Sequence, residues 1–275
     1  MTIPRIALNS GTSIPQIGLG TSPLDDAEVE RAVLEALAIG YRHIDTAAKY
    51  GNEVGVGRGV KGGGVPRDDI FVTTKLDGPY QGDDRAVAGL DASLERLGLD
   101  YVDLLLIHWP LPSRDEYVST WKTYEKLHAS GKARAIGVSN FKPAHLDRLI
   151  AETGTTPAVN QIQLNPYVTR HEQRGYNAEH GIVTESWSPL GAGGDLLTSA
   201  VLASIGDKHG KTPGQVVVRW HLDNGLVVIP KSKNAQRLAE NLDVLDFTLD
   251  ADDLAEIATL DQGAGAGVDS DVTGH

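Results

Sequence analysis

The sequence predicts an α/β fold of the (β/α)8 TIM barrel class, with residues 1–275 forming one domain. Three observations carry this expectation. Strand-sized runs such as Ile70-Phe-Val-Thr-Thr-Lys and Asp103-Leu-Leu-Leu-Ile-His are apolar almost throughout, where a strand with one wet face would alternate. Helical stretches separate these runs in regular succession. Polar residues stand where the runs stop: Asp45, Lys75 and His108, with Tyr50 shortly after Asp45. At the C-terminal ends of barrel strands such residues carry chemistry, so the set points to an enzyme.

The elements follow in order. Two short apolar runs around Ser10-Gly11 predict a β-hairpin ahead of the repeating pattern. Ile17-Gly-Leu-Gly-Thr is the first barrel strand, and Asp25 to Ile39 a helix with Val29, Val33, Ala36 and Leu37 on one face, ended by Gly40. The second strand carries Asp45, a helix starts near Glu53 and dissolves at Lys61-Gly-Gly-Gly, and the third strand ends at Lys75. A helix over about Asp83 to Leu97 precedes the fourth strand, which runs through His108. The fourth helix carries Val118, Trp121, Tyr124 and His128, and the fifth strand is Ala133 to Asn140. A helix from Pro143, a strand from Ala158, a helix over Arg170 to His180 and a strand from Ile182 to Trp187 continue the alternation. Thr212-Pro-Gly-Gln opens the next helix with an N-cap, a first-position Pro and a capping-box Gln215. Leu226-Val-Val-Ile-Pro is the eighth strand, and Asn234 caps a last barrel helix through Leu242.

A doubly wound open sheet is the runner-up, but it usually carries Gly-x-Gly-x-x-Gly after its first strand, and none stands there. Gly55-Val-Gly-Arg-Gly-Val and His209-Gly-Lys-Thr imitate nucleotide motifs, each lacking a required glycine at Val60 and Ile205 respectively. The absence of cysteine excludes disulfides and thiolate metal sites, and nine histidines show no His-Glu-x-x-His spacing. A net charge of −12 argues against a general attraction to nucleic acid or anionic membranes, so an anionic ligand needs a local cationic site. Lys231, Lys233 and Arg237 supply three cations where a loop enters a helix. Met1-Thr-Ile-Pro-Arg offers no signal peptide and no run approaches membrane-spanning length, so a soluble cytoplasmic protein, a monomer, is expected.

At Asp45-Thr-Ala-Ala-Lys-Tyr-Gly-Asn-Glu, Thr74-Lys75, Leu106-Ile-His-Trp-Pro, Gly137-Val-Ser-Asn, Asn160-Gln161-Ile and Ile229-Pro-Lys-Ser, the chain resembles the aldo-keto reductases over almost its whole length. Within them it is most similar to bacterial reductases of 2,5-diketo-D-gluconic acid and related small dicarbonyls. The resemblance implies a hairpin plugging the barrel bottom, and reduction of aldehydes or ketones by hydride from NADPH lying extended over the barrel mouth.

Carbonyl reduction also needs a proton on oxygen as charge develops there. Tyr50 is the expected general acid, its hydroxyl made more acidic by the Lys75 ammonium, with Asp45 holding Lys75 and His108 orienting the carbonyl oxygen. Singly, each has a plainer reading: a cap, a solvated tip, a rim aromatic and a core imidazole. Jointly they fit one reaction. The resemblance further implies that Ser139, Asn140 and Gln161 bind the nicotinamide amide and that Trp187 stacks on its ring, while Ser188, Leu190, Gly20 and Thr21 touch ribose or pyrophosphate. Ile229 belongs to the motif leading into the adenosine site. There Lys231, Ser232, Lys233, Arg237 and the helix amides would meet the 2′-phosphate, with Glu240 and Asn241 facing adenine.

The match departs at Asp77, where many relatives place a pocket-wall Trp: either Tyr80 folds back in its place or the site is more open and polar than usual. The Gly191 to Asp195 loop is short and glycine-rich, and the Gly-rich tail from Gln262 is of a kind that borders the substrate in the family. Two other functions compete. A dinucleotide-binding regulatory module, like the channel β-subunits that share this barrel, would bind without turnover. A sugar-phosphate isomerase would need a strand-end Glu base, and Glu185, two residues before Trp187, is poorly placed for that.

Overall fold

The computed structural model describes residues 2–274. β1 (Arg5–Ala7) and β2 (Ser13–Pro15) form an antiparallel hairpin. The barrel then runs β3 (Leu19–Gly20), α1 (Asp26–Ile39), β4 (His43–Asp45), α2 (Glu53–Gly62), β5 (Phe71–Leu76), α3 (Asp83–Leu97), β6 (Leu104–Ile107) and α4 (Tyr117–Ala129). It continues through β7 (Ile136–Ser139), α5 (Pro143–Thr153), β8 (Val159–Gln163), α6 (His171–Glu179), β9 (Val183–Trp187), α7 (Ala200–His209), α8 (Pro213–Asp223), β10 (Val227–Val228), α9 (Ala235–Leu242) and α10 (Ala251–Ala258).

Strands β3 to β10 pair in sequence order, all parallel. The cylinder closes between its first and last strands: the Gly18 amide donates to the Val228 carbonyl at 2.9 Å and the Val228 amide to the Gln16 carbonyl at 2.8 Å. Closure leaves no free edge and places the ends of all eight strands around one mouth. The hairpin seals the other end, since its Leu8 and Ile14 pack with Phe71, Leu104, Ala135 and Val227.

Local chemistry explains the helix limits. Asp25, Thr212 and Asp250 cap α1, α8 and α10 through reciprocal capping boxes, and Asn234 caps α9 by accepting from the Arg237 amide. Wrapping the barrel buries large apolar faces, as on α4, where Trp121, Tyr124 and Leu127 turn inward. Each such side chain contributes roughly 1.5–3 kcal/mol. The Gly-x-Gly-x-Gly of α2 has a packing purpose. A Cβ on Gly55 would come within 2.2 Å of the Asp26 carbonyl, and one on Gly57 within 2.1 Å of the Leu97 carbonyl, so the bare faces let α1 and α3 approach.

Two helices are absent from the sequence reading. α7 and α10 pack on each other, with Leu202 and Ile205 meeting Ile257 in a satellite core beside the barrel. Asp250 followed by Asp253 is the capping signal that marks the second of them.

Candidate functional site

The mouth of the barrel opens into a cavity of about 690 Å³. Asp45 ends β4, and the 3₁₀ turn Ala48–Tyr50 that follows brings the phenol back over the strand end. Lys75 arrives from β5 fully buried beneath it. Its ammonium donates to Asp45 Oδ1 at 2.6 Å, to the Thr46 carbonyl at 2.9 Å and to the Tyr50 hydroxyl at 3.4 Å. His108, just past the end of β6, sets its ring at 77° to the Tyr50 ring with centroids 5.7 Å apart. Four residues distant in sequence thus share one floor.

Burial governs the protonation of this floor. It depresses the Lys75 ammonium first, but the Asp45 carboxylate more than compensates, so the group stays charged. Asp45 sits above the ordinary carboxylate range because burial outweighs the ammonium beside it. His108 is driven well below the usual imidazole value, by burial and then by Lys75, and is neutral. Its Nδ1 is buried without a partner, leaving Nε2 as the nitrogen available to a ligand. The expected acidification of Tyr50 needs correction. Burial raises its pKa first, Lys75 pulls it back, and the negative charge of Asp45 opposes that pull, so the net direction is upward.

The nicotinamide-side candidates form a connected polar rim. Ser139 Oγ donates to the Gln161 carbonyl at 2.8 Å, Asn140 Nδ2 to Ser139 Oγ at 3.0 Å and to the His108 carbonyl at 3.1 Å, and Trp187 Nε1 to Asn140 Oδ1 at 2.9 Å. These bonds fix the indole plane at the cavity wall. Gln161 lines the cavity as well, and its Nε2 donates to both Asp45 Oδ2 at 2.8 Å and Glu185 Oε2 at 2.9 Å, so the amide nitrogen is already engaged.

Gly20, Thr21, Ser188, Leu190 and Ile229 line the same cavity, and Lys231 and Arg237 line its far end. Neither of these two side chains makes an ion pair among the described residues. Ser232, Lys233, Glu240 and Asn241 lie outside the lining. Lys233 pairs with Glu28 at 2.6 Å, Ser232 Oγ accepts from the Asn234 amide at 3.1 Å, Glu240 accepts from Gln236 Nε2 at 2.9 Å, and Asn241 is buried beside Tyr41. The Arg237 amide is likewise spent on the Asn234 cap.

Tyr80 does not replace the missing wall. Asp77 caps the 3₁₀ turn Gly78–Tyr80 and the ring packs outward over Gly89, 39 % exposed. Trp109, which the sequence motifs leave without a role, lines the cavity instead, edge-on to Trp187 at 6.5 Å. Its signal was its place directly after His108 at a strand end. Ala192, Gly193 and Gly194 of the Gly-rich loop also line the cavity, as do Ser22, Pro23 and Leu197, which no sequence motif marks. The tail docks over the mouth: the Val268 amide donates to Gln163 Oε1 at 2.7 Å, Lys142 pairs with Asp269 and Asp271, and Gly274 lies against the Trp109 indole.

A closed parallel barrel whose mouth joins a buried aspartate–lysine pair, a tyrosine and a histidine to a cation-ended cleft defines a class of carbonyl oxidoreductase. The sequence profile of the aldo/keto reductase family matches residues 14–262, and the chain belongs to that family. It is 50% identical over 272 residues to the methylglyoxal reductase DkgA of Escherichia coli, covering 98% of each chain. An aldo-keto reductase of Mycolicibacterium smegmatis is 53% identical over 266 residues, 97% of this chain and 96% of that protein. Among solved structures, the aldo/keto reductase from Brucella melitensis superposes with a TM-score of 0.91 at 49% identity, covering 94% of this chain and 100% of that one. A Gox0644 mutant in complex with NADPH superposes at 0.95 with 44% identity and 99% coverage of both.

Proposed function

We propose that this chain reduces small α-dicarbonyls or keto-sugars to alcohols with NADPH, Tyr50 donating the proton. The observation that carries the reading is the Lys75 ammonium, 2.6 Å from Asp45 and 3.4 Å from the Tyr50 hydroxyl, on the floor of a cleft that ends at Lys231 and Arg237.

The residues present fit the dinucleotide. In a chain of net charge −12, two unpaired cations at one end of a long cleft suit a phosphate monoester, and the hydrogen-bonded Trp187 at the other end offers a flat stacking face. Thr21, Ser188, Leu190 and Ile229 line the cleft between these ends. When bound, the dinucleotide supplies hydride to the carbonyl carbon. Everything else falls to the chain. His108, neutral and with Nε2 available, donates to the carbonyl oxygen and sets its position. Tyr50, kept protonated by burial, is a ready donor through the neutral range, and an alkoxide is basic enough to take its proton. Lys75 then stabilises the phenolate left behind, which is where its charge matters most. Asp45 keeps Lys75 ionised and anchored.

Support for small, polar substrates comes from the relative named methylglyoxal reductase and from a mouth narrowed by Trp109, Trp187 and the docked tail. NADPH oxidation with methylglyoxal, compared between wild type and Tyr50→Phe, tests the mechanism: equal rates overturn it. A clear preference for bulky hydrophobic ketones overturns the substrate assignment.

A further inference from the structure

Glu185 is a buried carboxyl for which this mechanism has no use. It sits within β9, inside the barrel and below the cavity lining. Its Oε2 accepts from Gln161 Nε2 at 2.9 Å, and the same nitrogen bonds Asp45 Oδ2 at 2.8 Å, so one amide bridges two carboxyls. Glu185 Oε1 has no hydrogen-bond partner among the described residues. His43 Nε2 lies 3.6 Å from it and is itself bonded to Thr73 Oγ1 at 3.1 Å, in a ring that fills the space left by Gly18, where a Cβ would come within 2.5 Å of His43 Nδ1.

The charges facing Glu185 can be counted element by element. From β4 come His43 and Asp45, from β5 Lys75, and from the turn after β4 Tyr50; β8 contributes the neutral Gln161. One ammonium faces two carboxyls, and it is spent on Asp45 at 2.6 Å. A second full carboxylate would leave an uncompensated negative charge in a site closed to water, at a cost of several kcal/mol. Burial drives the His43 imidazole down to about 3, so it offers no cation in exchange.

We propose that Glu185 is a positioning residue that holds a proton in the resting enzyme, and that this proton, across Gln161 from Asp45, reserves the Lys75 ammonium for Asp45 and Tyr50. The inference rests on Tyr50 being the acid. It adds that the state of the phenol is set from below by a group that never touches substrate. Burial and the Asp45 charge push the Glu185 carboxyl up to about 8. Below that pH the floor carries one carboxylate and one ammonium. Above it, a second negative charge faces Tyr50 and disfavours the phenolate that proton donation must generate.

Two measurements on the full-length protein test this. Infrared difference spectroscopy at neutral pH is expected to show a protonated-carboxyl stretch in the wild type that vanishes as the pH is raised through about 8 and is missing in Glu185→Gln. The ratio of kcat at neutral to alkaline pH, with NADPH and methylglyoxal, is expected to fall by about threefold or more in Glu185→Gln relative to wild type, because the alkaline loss due to this group disappears. Absence of the stretch in the wild type, its persistence in Glu185→Gln, or an unchanged ratio overturns the proposal. The infrared signal does not depend on turnover. A failure of Tyr50 as the acid therefore shows in the Tyr50→Phe rate, separately from a failure of Glu185 to hold its proton.

Discussion

Replacing Lys75 by Met tests the floor most severely, because the ammonium performs two tasks with different signatures. At 3.4 Å from the Tyr50 hydroxyl, and with an effective dielectric of ~20, its attraction for a developing phenolate is about 5 kcal/mol. Part of this is recovered when Asp45, already pushed above the ordinary carboxylate range by burial, takes up a proton and withdraws its own repulsion. A drop in kcat of roughly 10²- to 10³-fold is expected. Stability responds separately. Leaving Asp45 buried without its partner costs about 3–5 kcal/mol if it stays ionised. In Lys75→Met its folded pKa lies above the unfolded value, so stability is retained below the unfolded pKa and declines as the pH rises toward the folded one. Adding Asp45→Asn restores stability at neutral pH without restoring kcat. The assays are NADPH oxidation with methylglyoxal and urea unfolding at several pH values. A kcat within about tenfold of wild type in a folded Lys75→Met protein, or recovery of kcat by Asp45→Asn, refutes the reasoning.

Tyr50→Phe, which deletes the hydroxyl that donates the proton, is expected to cost about 10²–10⁴ in kcat with NADPH binding retained, as measured by fluorescence titration. Arg237→Ala removes one of the two unpaired cations and is expected to weaken NADPH by roughly ten- to a hundredfold while sparing NADH; equal losses for both would remove Arg237 from phosphate recognition. Gly18→Ala drives a methyl into the His43 ring at 2.5 Å and should destabilise by about 1–3 kcal/mol, read as a lower Tm. Glu185, raised to about 8 in the fold, binds a proton there that the unfolded chain releases near 4.5, so its contribution to stability is full below 4.5 and is lost as the pH climbs to about 8. The stability difference between wild type and Glu185→Gln should therefore change by up to ~1.4 kcal/mol per pH unit across that window, a comparison that cancels the opposite slope from His43.

The sequence alone determined whatever depends on nearest neighbours along the chain. Continuous apolar strands, helical spacing and punctuation by Gly, Pro and capping residues are local signals, and they placed eight strand–helix units and put Asp45, Lys75 and His108 at strand ends. α7 and α10 escaped because their apolar faces make sense only against each other. What tertiary structure decided is how distant residues share space. Only the fold pairs Lys233 with Glu28 of α1, seats Tyr80 outside over Gly89, and sets the Gln161 nitrogen between two carboxyls. Protonation belongs to the same category. Side-chain type fixes a reference pKa, but burial and the distances to Lys75, Asp45 and Glu185 set the direction in which Tyr50 moves, and those exist only once the barrel has closed.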